Sequence, residues 1–173
     1  MDEVVKYMSN KEWEKDYREE RKLYLLNIAM DCEKSSKTSE VIGGILIYNQ
    51  IIEQLLKEII IVSIGFIKAK LYPSKVKLNI DFEKATFGVL IEYYKQFAIE
   101  EPNKDIIIFY LNDIKKIRNK IVHRIFEIKN IRNIKTESKD YYEKCYELFL
   151  LLNEYYDQIC FKLYDLDKEI DFK

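Results

Sequence analysis

Histidine and tryptophan each occur once in these 173 residues, proline occurs twice and glycine four times. So small a supply of Gly and Pro leaves few of the turns that a many-stranded β fold requires, and long uninterrupted helices become the expectation. A single histidine excludes a multi-histidine metal site within one subunit, and the chain contains no H-E-x-x-H, no G-x-S-x-G and no glycine-rich phosphate loop. No metal and no cofactor is therefore expected. Cys32, Cys145 and Cys160 are odd in number, widely spaced and free of any C-x-x-C pairing, which indicates neither a disulfide framework nor a zinc site and fits a reducing compartment. The most apolar run, Ile59 to Ile67, is too short to span a bilayer, and MDEVVKYMSNKEWEK at the start has no signal-peptide core. A cytoplasmic protein outside the membrane is expected.

What is present points to one helical domain. Apolar residues make up 48% of the chain, enough for a real core in a single unit covering 1–173. Ser9 and Glu12 read as a capping box that opens a first helix running to about Asp31, with Trp13, Tyr17, Tyr24 and Ile28 turned inward. CEKSSKTS supplies Ser and Thr caps for a second helix, Glu40 to about Tyr72, apolar on nearly every side and so the most buried. Its Gly43, Gly44 and Gly65 either permit close helix approach or are merely tolerated. Pro73 ends it, and a short helix follows from Thr86 to Phe97 with Val89, Leu90, Tyr93 and Phe97 on one face. A fourth helix begins near Lys104 and runs to Ile128 or beyond. NIRNIKTESKD reads as a connection, and Ser138 as the cap of a last helix reaching about Tyr164. The expected fold is all-α, an antiparallel helical bundle of four main helices plus a short one.

Net charge is −1, but its distribution is uneven. Residues 103–135 carry nine Lys/Arg against three Asp/Glu, so one segment is locally basic. The lone histidine lies within it, in KKIRNKIVHRIF, Lys115 to Phe126. At about 100° per residue with Ile114 at zero, Ile117, Ile121, Ile125 and Ile128 fall in a stripe about 80° wide, the expected core face. His123 lies at about 180° and Asn119 at about 140°, both away from that stripe, whereas Arg118 at about 40° sits on its edge. The histidine is expected to face outward.

Arg118, Asn119, three residues and His123 resemble the Arg-polar-x-x-x-His ribonuclease motif of the HEPN superfamily, whose domains are compact α-bundles with this motif on a late helix. The resemblance covers most of the chain. EQLLK (Glu53 to Lys57) and TFGVLI (Thr86 to Ile91) also resemble stretches of prokaryotic members. What it implies is a metal-independent endoribonuclease, a toxin or defence effector restrained by an antitoxin or other regulatory protein, working as a homodimer in which Arg118 and His123 of two protomers share one site. One departure stands out. The toxin branch that accompanies a minimal nucleotidyltransferase usually has Tyr two residues after the His, where this chain has Ile125.

The chemistry suits those residue types. Imidazole, with an ordinary pKa of about 6.5, serves as base or acid near neutrality, and a guanidinium grips two phosphate oxygens at once. Asn119 stands one turn before His123 and is placed to orient the ring or touch RNA. Arg118 and His123 are about 140° apart, too wide to meet one phosphate comfortably from a single helix, so a second copy is called for. Lys115, Lys116, Lys120 and Arg124 are the candidate backbone contacts to RNA, with Lys129 and Arg132 beyond. Glu53 and Glu58 are weighed as partners behind Arg118, although pairing of Glu53 with Lys57 within the helix is simpler. Two further readings remain open: a HEPN-like module that binds RNA, nucleotide or protein without cutting, and a purely structural bundle.

Overall fold

The protein is all-α. In a computed structural model, whose described residues are 12–72, 74, 82, 85–124 and 131–171, the elements are α1 (Glu12–Glu33), α2 (Thr38–Lys70), α3 (Phe87–Phe97), α4 (Lys104–Arg124) and α5 (Ile131–Asp171). No strand occurs among the described residues. Among the described residues α2 is the central helix, touching α1, α3 and α5, while α4 packs on α5 and α3. No helix among the described residues is long and apolar enough to cross a membrane.

α2 holds the centre because so little of it is polar. Its 33 residues span about 50 Å. Ile45, Tyr48, Ile52, Leu55, Leu56, Ile59 and Ile60 are all sealed in the core. The helix begins after Lys37, which makes no side-chain cap bond; instead the Ser35 hydroxyl accepts from the Lys37 N–H and donates to Glu40. It ends at Lys70, short of Pro73, which lies outside the described residues along with Ser9. Gly44 is where close approach is needed. A Cβ there would overlap the Tyr142 hydroxyl and stand 2.7 Å from the Cys32 Cβ, so α1 and α5 both close on α2 at this point. Gly43 has nothing near it, and Gly65 makes ordinary contact only.

Three sequence expectations are corrected by the packing. On α1 the inward side chains are Lys22, Leu26 and Ala29, while Tyr24 is 65% exposed; Lys22 turns inward because Glu58 of α2 is there to meet it at 2.6 Å. The side chains of Trp13 and Tyr17 lie outside the described residues. On α3 the buried face is Phe87, Leu90, Ile91 and Tyr94, with Val89 exposed, and the Thr86 hydroxyl caps the helix by accepting from the Val89 N–H. The segment read as a connection, NIRNIKTESKD, is helical from Ile131 onward, and Ser138 is a buried residue inside α5 rather than its cap. The polar composition misled there because a 41-residue helix draws its stability from the apolar stripe that follows, including Tyr141, Tyr142, Cys145, Leu148 and Leu152.

α4 packs as its wheel predicts. Ile107, Leu111, Ile114 and Ile121 are buried and Ile117 is partly so. Ile125 and Ile128 lie outside the described residues. The outer side of α4 is tied to α5 by Tyr110 donating to Glu147 and by Lys144 bridging Asp113 and Asp140.

Candidate functional site

Arg118 leaves α4 beside the core stripe and crosses to α2. Its Nη1 donates to Glu53 Oε1 at 3.0 Å, and its guanidinium carbon lies 5.9 Å from the centre of the Phe87 ring. The contact joins residues 65 positions apart, so it is tertiary and not a helix-surface pair. Both side chains keep about a third of their surface, 31% and 28%. Neither makes a second hydrogen bond among the described residues.

The exposed sides of this pair open into a cleft of about 410 Å³ lined by Glu53, Ala85, Thr86, Phe87, Arg118 and Asn119. Three elements meet there. α2 supplies the carboxylate, the first turn of α3 and the residues before it supply a small, partly apolar rim, and α4 supplies the guanidinium and an amide. Asn119 is exposed and its amide has no partner among the described residues. Phe87 is only 5% exposed, so it forms a floor and offers no open ring face.

Behind Arg118 the interior is polar but sealed. Among the described residues Tyr141 Oη and Asn49 Oδ1 are buried with no hydrogen bond of ordinary geometry. Burial pushes the Tyr141 hydroxyl well up from its ordinary pKa, the Cys145 thiol adds to that, and the Arg118 charge nearby pulls it back. Tyr141 is therefore a neutral hydroxyl. Cys145 is pushed far up by burial as well, which removes it as a thiolate nucleophile. Among the described residues no three His, Cys, Asp or Glu side chains converge as metal ligands do.

Of the residues singled out by sequence, Arg118 and Asn119 line the cleft together. Glu53 lies there too, paired with Arg118 and not with Lys57. Glu58 does not belong to the site: it accepts from Lys22 at 2.6 Å and from Gln54 at 2.9 Å, away from Arg118. Lys115 reaches the rim, since a Cβ on Gly88 would stand 2.9 Å from its Nζ. Lys116 and Lys120 are exposed but lie about 160° round α4 from Arg118, so the basic residues divide between two sides of the helix. His123 and Arg124 belong to the last turn of α4, and their side chains lie outside the described residues. The helical backbone alone places His123 about 7.5 Å along the axis and about 140° round it from Arg118.

Thr86 and Phe87 carry no group that marks them as site residues in sequence, yet both line the cleft and belong to the stretch TFGVLI, while Glu53 opens the stretch EQLLK. The two stretches converge on one cleft. No family model, curated protein or solved structure matches the chain.

Proposed function

We propose that this chain is a metal-independent endoribonuclease of HEPN type, a toxin or defence effector restrained by an antitoxin or other regulatory protein, in which Arg118 and His123 of two protomers build one active site. The observation that carries the reading is the setting of Arg118. Its guanidinium stands in an open cleft, held on one edge by Glu53 with its remaining N–H donors unpaired among the described residues, one and a half turns before the sole histidine on the same helix.

In this reaction the imidazole takes the 2′-hydroxyl proton, the 2′-oxygen attacks phosphorus, and the bond to the 5′-oxygen breaks as a second imidazole returns a proton to it. The products are a 2′,3′-cyclic phosphate and a 5′-hydroxyl. An imidazole at its ordinary pKa contributes roughly 10²- to 10⁴-fold in such a role. The guanidinium stabilises the charge growing on the non-bridging oxygens, and Glu53 keeps its fork from swinging away. The angle of about 140° between Arg118 and His123 is what calls for a twin subunit. Lys115, Lys116, Lys120 and Arg124 then add affinity for the RNA backbone that falls with salt.

A second reading, a bundle that binds RNA, a nucleotide or a protein partner without cutting, is favoured by the same ion pair, because Glu53 offsets part of the charge a scissile phosphate would meet. The two readings separate cleanly. Purified protein in excess chelator is expected to cleave RNA, and His123→Ala and Arg118→Ala are each expected to abolish cleavage while lowering the melting temperature by no more than a few degrees. RNA that binds with a steep salt dependence and stays intact selects the second reading, and cleavage that survives either substitution rejects the first.

A further inference from the structure

The open cleft beside Arg118 is lined by polar and apolar groups together, and, resting on the ribonuclease reading, we propose that it is a base pocket selective for guanine.

A small inorganic anion alone would meet the guanidinium but leave the Glu53 carboxylate, 3.0 Å away, without a donor from the ligand, so the cleft suits a ligand that satisfies both charges. A cation is a poor occupant for the converse reason. An apolar ligand would strand the carboxylate, the guanidinium and the Asn119 amide without partners, which is costly wherever water is displaced. A neutral, planar molecule that carries both donors and acceptors matches the carboxylate, guanidinium and amide of the lining. A volume of about 410 Å³ is ample for one nucleobase with its sugar at the mouth.

Among the four bases, guanine fits the carboxylate. Its N1–H and N2–H are adjacent donors, and a carboxylate has about four acceptor positions on two oxygens, of which Arg118 uses one. Its O6 and N7 are acceptors for the donors of the same lining, the Arg118 N–H groups not used by Glu53 and the Asn119 amide. Each rival turns a lone pair on the carboxylate: adenine N1 beside its single exocyclic amine, cytosine N3 beside its own, and uracil a carbonyl on either side of N3–H. Phe87 is buried under the site and Thr86 sits at its edge, so the base enters edge-on and is not sandwiched between rings. The pocket selects the base flanking the cleaved bond, and Arg118 joins that pocket to the phosphate.

The test does not depend on cleavage. Titration of the full chain with 5′-GMP, AMP, CMP and UMP, followed by the NMR signals of the Asn119 side-chain amide and the Arg118 guanidinium, is expected to show GMP binding at least about tenfold more tightly than the other three. Glu53→Gln replaces one acceptor with a donor at almost unchanged shape, so the preference for GMP is expected to vanish and AMP to gain, as an amide pairs with adenine. Unchanged melting of that variant would show that the loss is one of recognition. Equal binding of all four nucleotides, no binding of any, or a guanine preference that survives Glu53→Gln would each overturn the proposal. Selective GMP binding by a protein that never cuts RNA would leave the pocket standing and remove the nuclease reading; cleavage without base preference would do the reverse.

Discussion

Two acidic residues five positions apart on α2 have opposite fates. Glu58 is met by Lys22 at 2.6 Å with side-chain exposures of 9% and 10%, supported by Gln54 and by the Tyr156 ring 5.3 Å from the lysine nitrogen. Glu53 is met by Arg118 at 3.0 Å with exposures of 28% and 31% and has no further partner among the described residues. The first pair is sealed and crowded with partners, so it fixes how α1 lies on α2. The second is half open and under-used, a poor stabiliser, and therefore the one with chemistry to spare. An ion pair shut away from water contributes through the penalty of breaking it, whereas an exposed one contributes little to folding.

Breaking the sealed pair should have the largest effect. Glu58→Ala leaves the Lys22 ammonium buried without its carboxylate and is expected to cost about 3–5 kcal/mol in chemical denaturation. Replacing both members with apolar residues, Lys22→Met with Glu58→Leu, is expected to recover most of that loss, since the uncompensated charge is gone. If the double variant stays as unstable as Glu58→Ala, the pair's role is more than charge compensation. Next comes the open pair: Arg118→Ala is expected to change stability by less than about 1 kcal/mol by the same measurement, in keeping with a partly exposed contact. A loss as large as that of Glu58→Ala would erase the distinction between the two.

The smallest effect concerns a third carboxylate, Glu101, whose Oε2 is buried without a partner among the described residues. Burial raises its pKa, the Asn103 N–H pulls the other way, Glu154 adds to the rise and Lys162 opposes it. The folded state thus holds the proton more tightly than the unfolded chain does. The stability this gives is present below pH 4.5 and is lost as pH rises through the folded pKa. Glu101→Gln removes that loss, so its melting temperature should gain on the wild type as pH rises above 4.5. Parallel curves would show that Glu101 titrates as it does in the unfolded chain.

These contrasts also mark how far the sequence could be read. The length and burial of α2 were legible because its apolar run leaves no polar face, and the inward stripe of α4 was legible because Ile114 and Ile121 recur at helical spacing. The edge position of Arg118 followed from the same wheel. Lys22 was missed because a lysine faces inward only where a distant carboxylate receives it, and the partner, Glu58, is 36 residues away. From sequence Glu53 pairs most simply with Lys57, since pairing along one helix is visible in sequence and a bond spanning 65 residues is not. The apolar face of α5, with Tyr142, Cys145, Leu148 and Leu152, was legible at helical spacing, but its start at Ile131 was not, because the polar stretch before Ser138 carries no stripe of its own.

Cleavage of a defined RNA in excess chelator by the wild type and by Arg118→Lys tests the central claim most directly. Lysine keeps the charge but loses the planar fork that meets Glu53 and a phosphate together. The expected result is metal-independent cleavage by the wild type, reduced on the order of a hundredfold in the variant with unchanged melting. A wild type that leaves RNA intact, or a lysine variant that cuts at full rate, would contradict it.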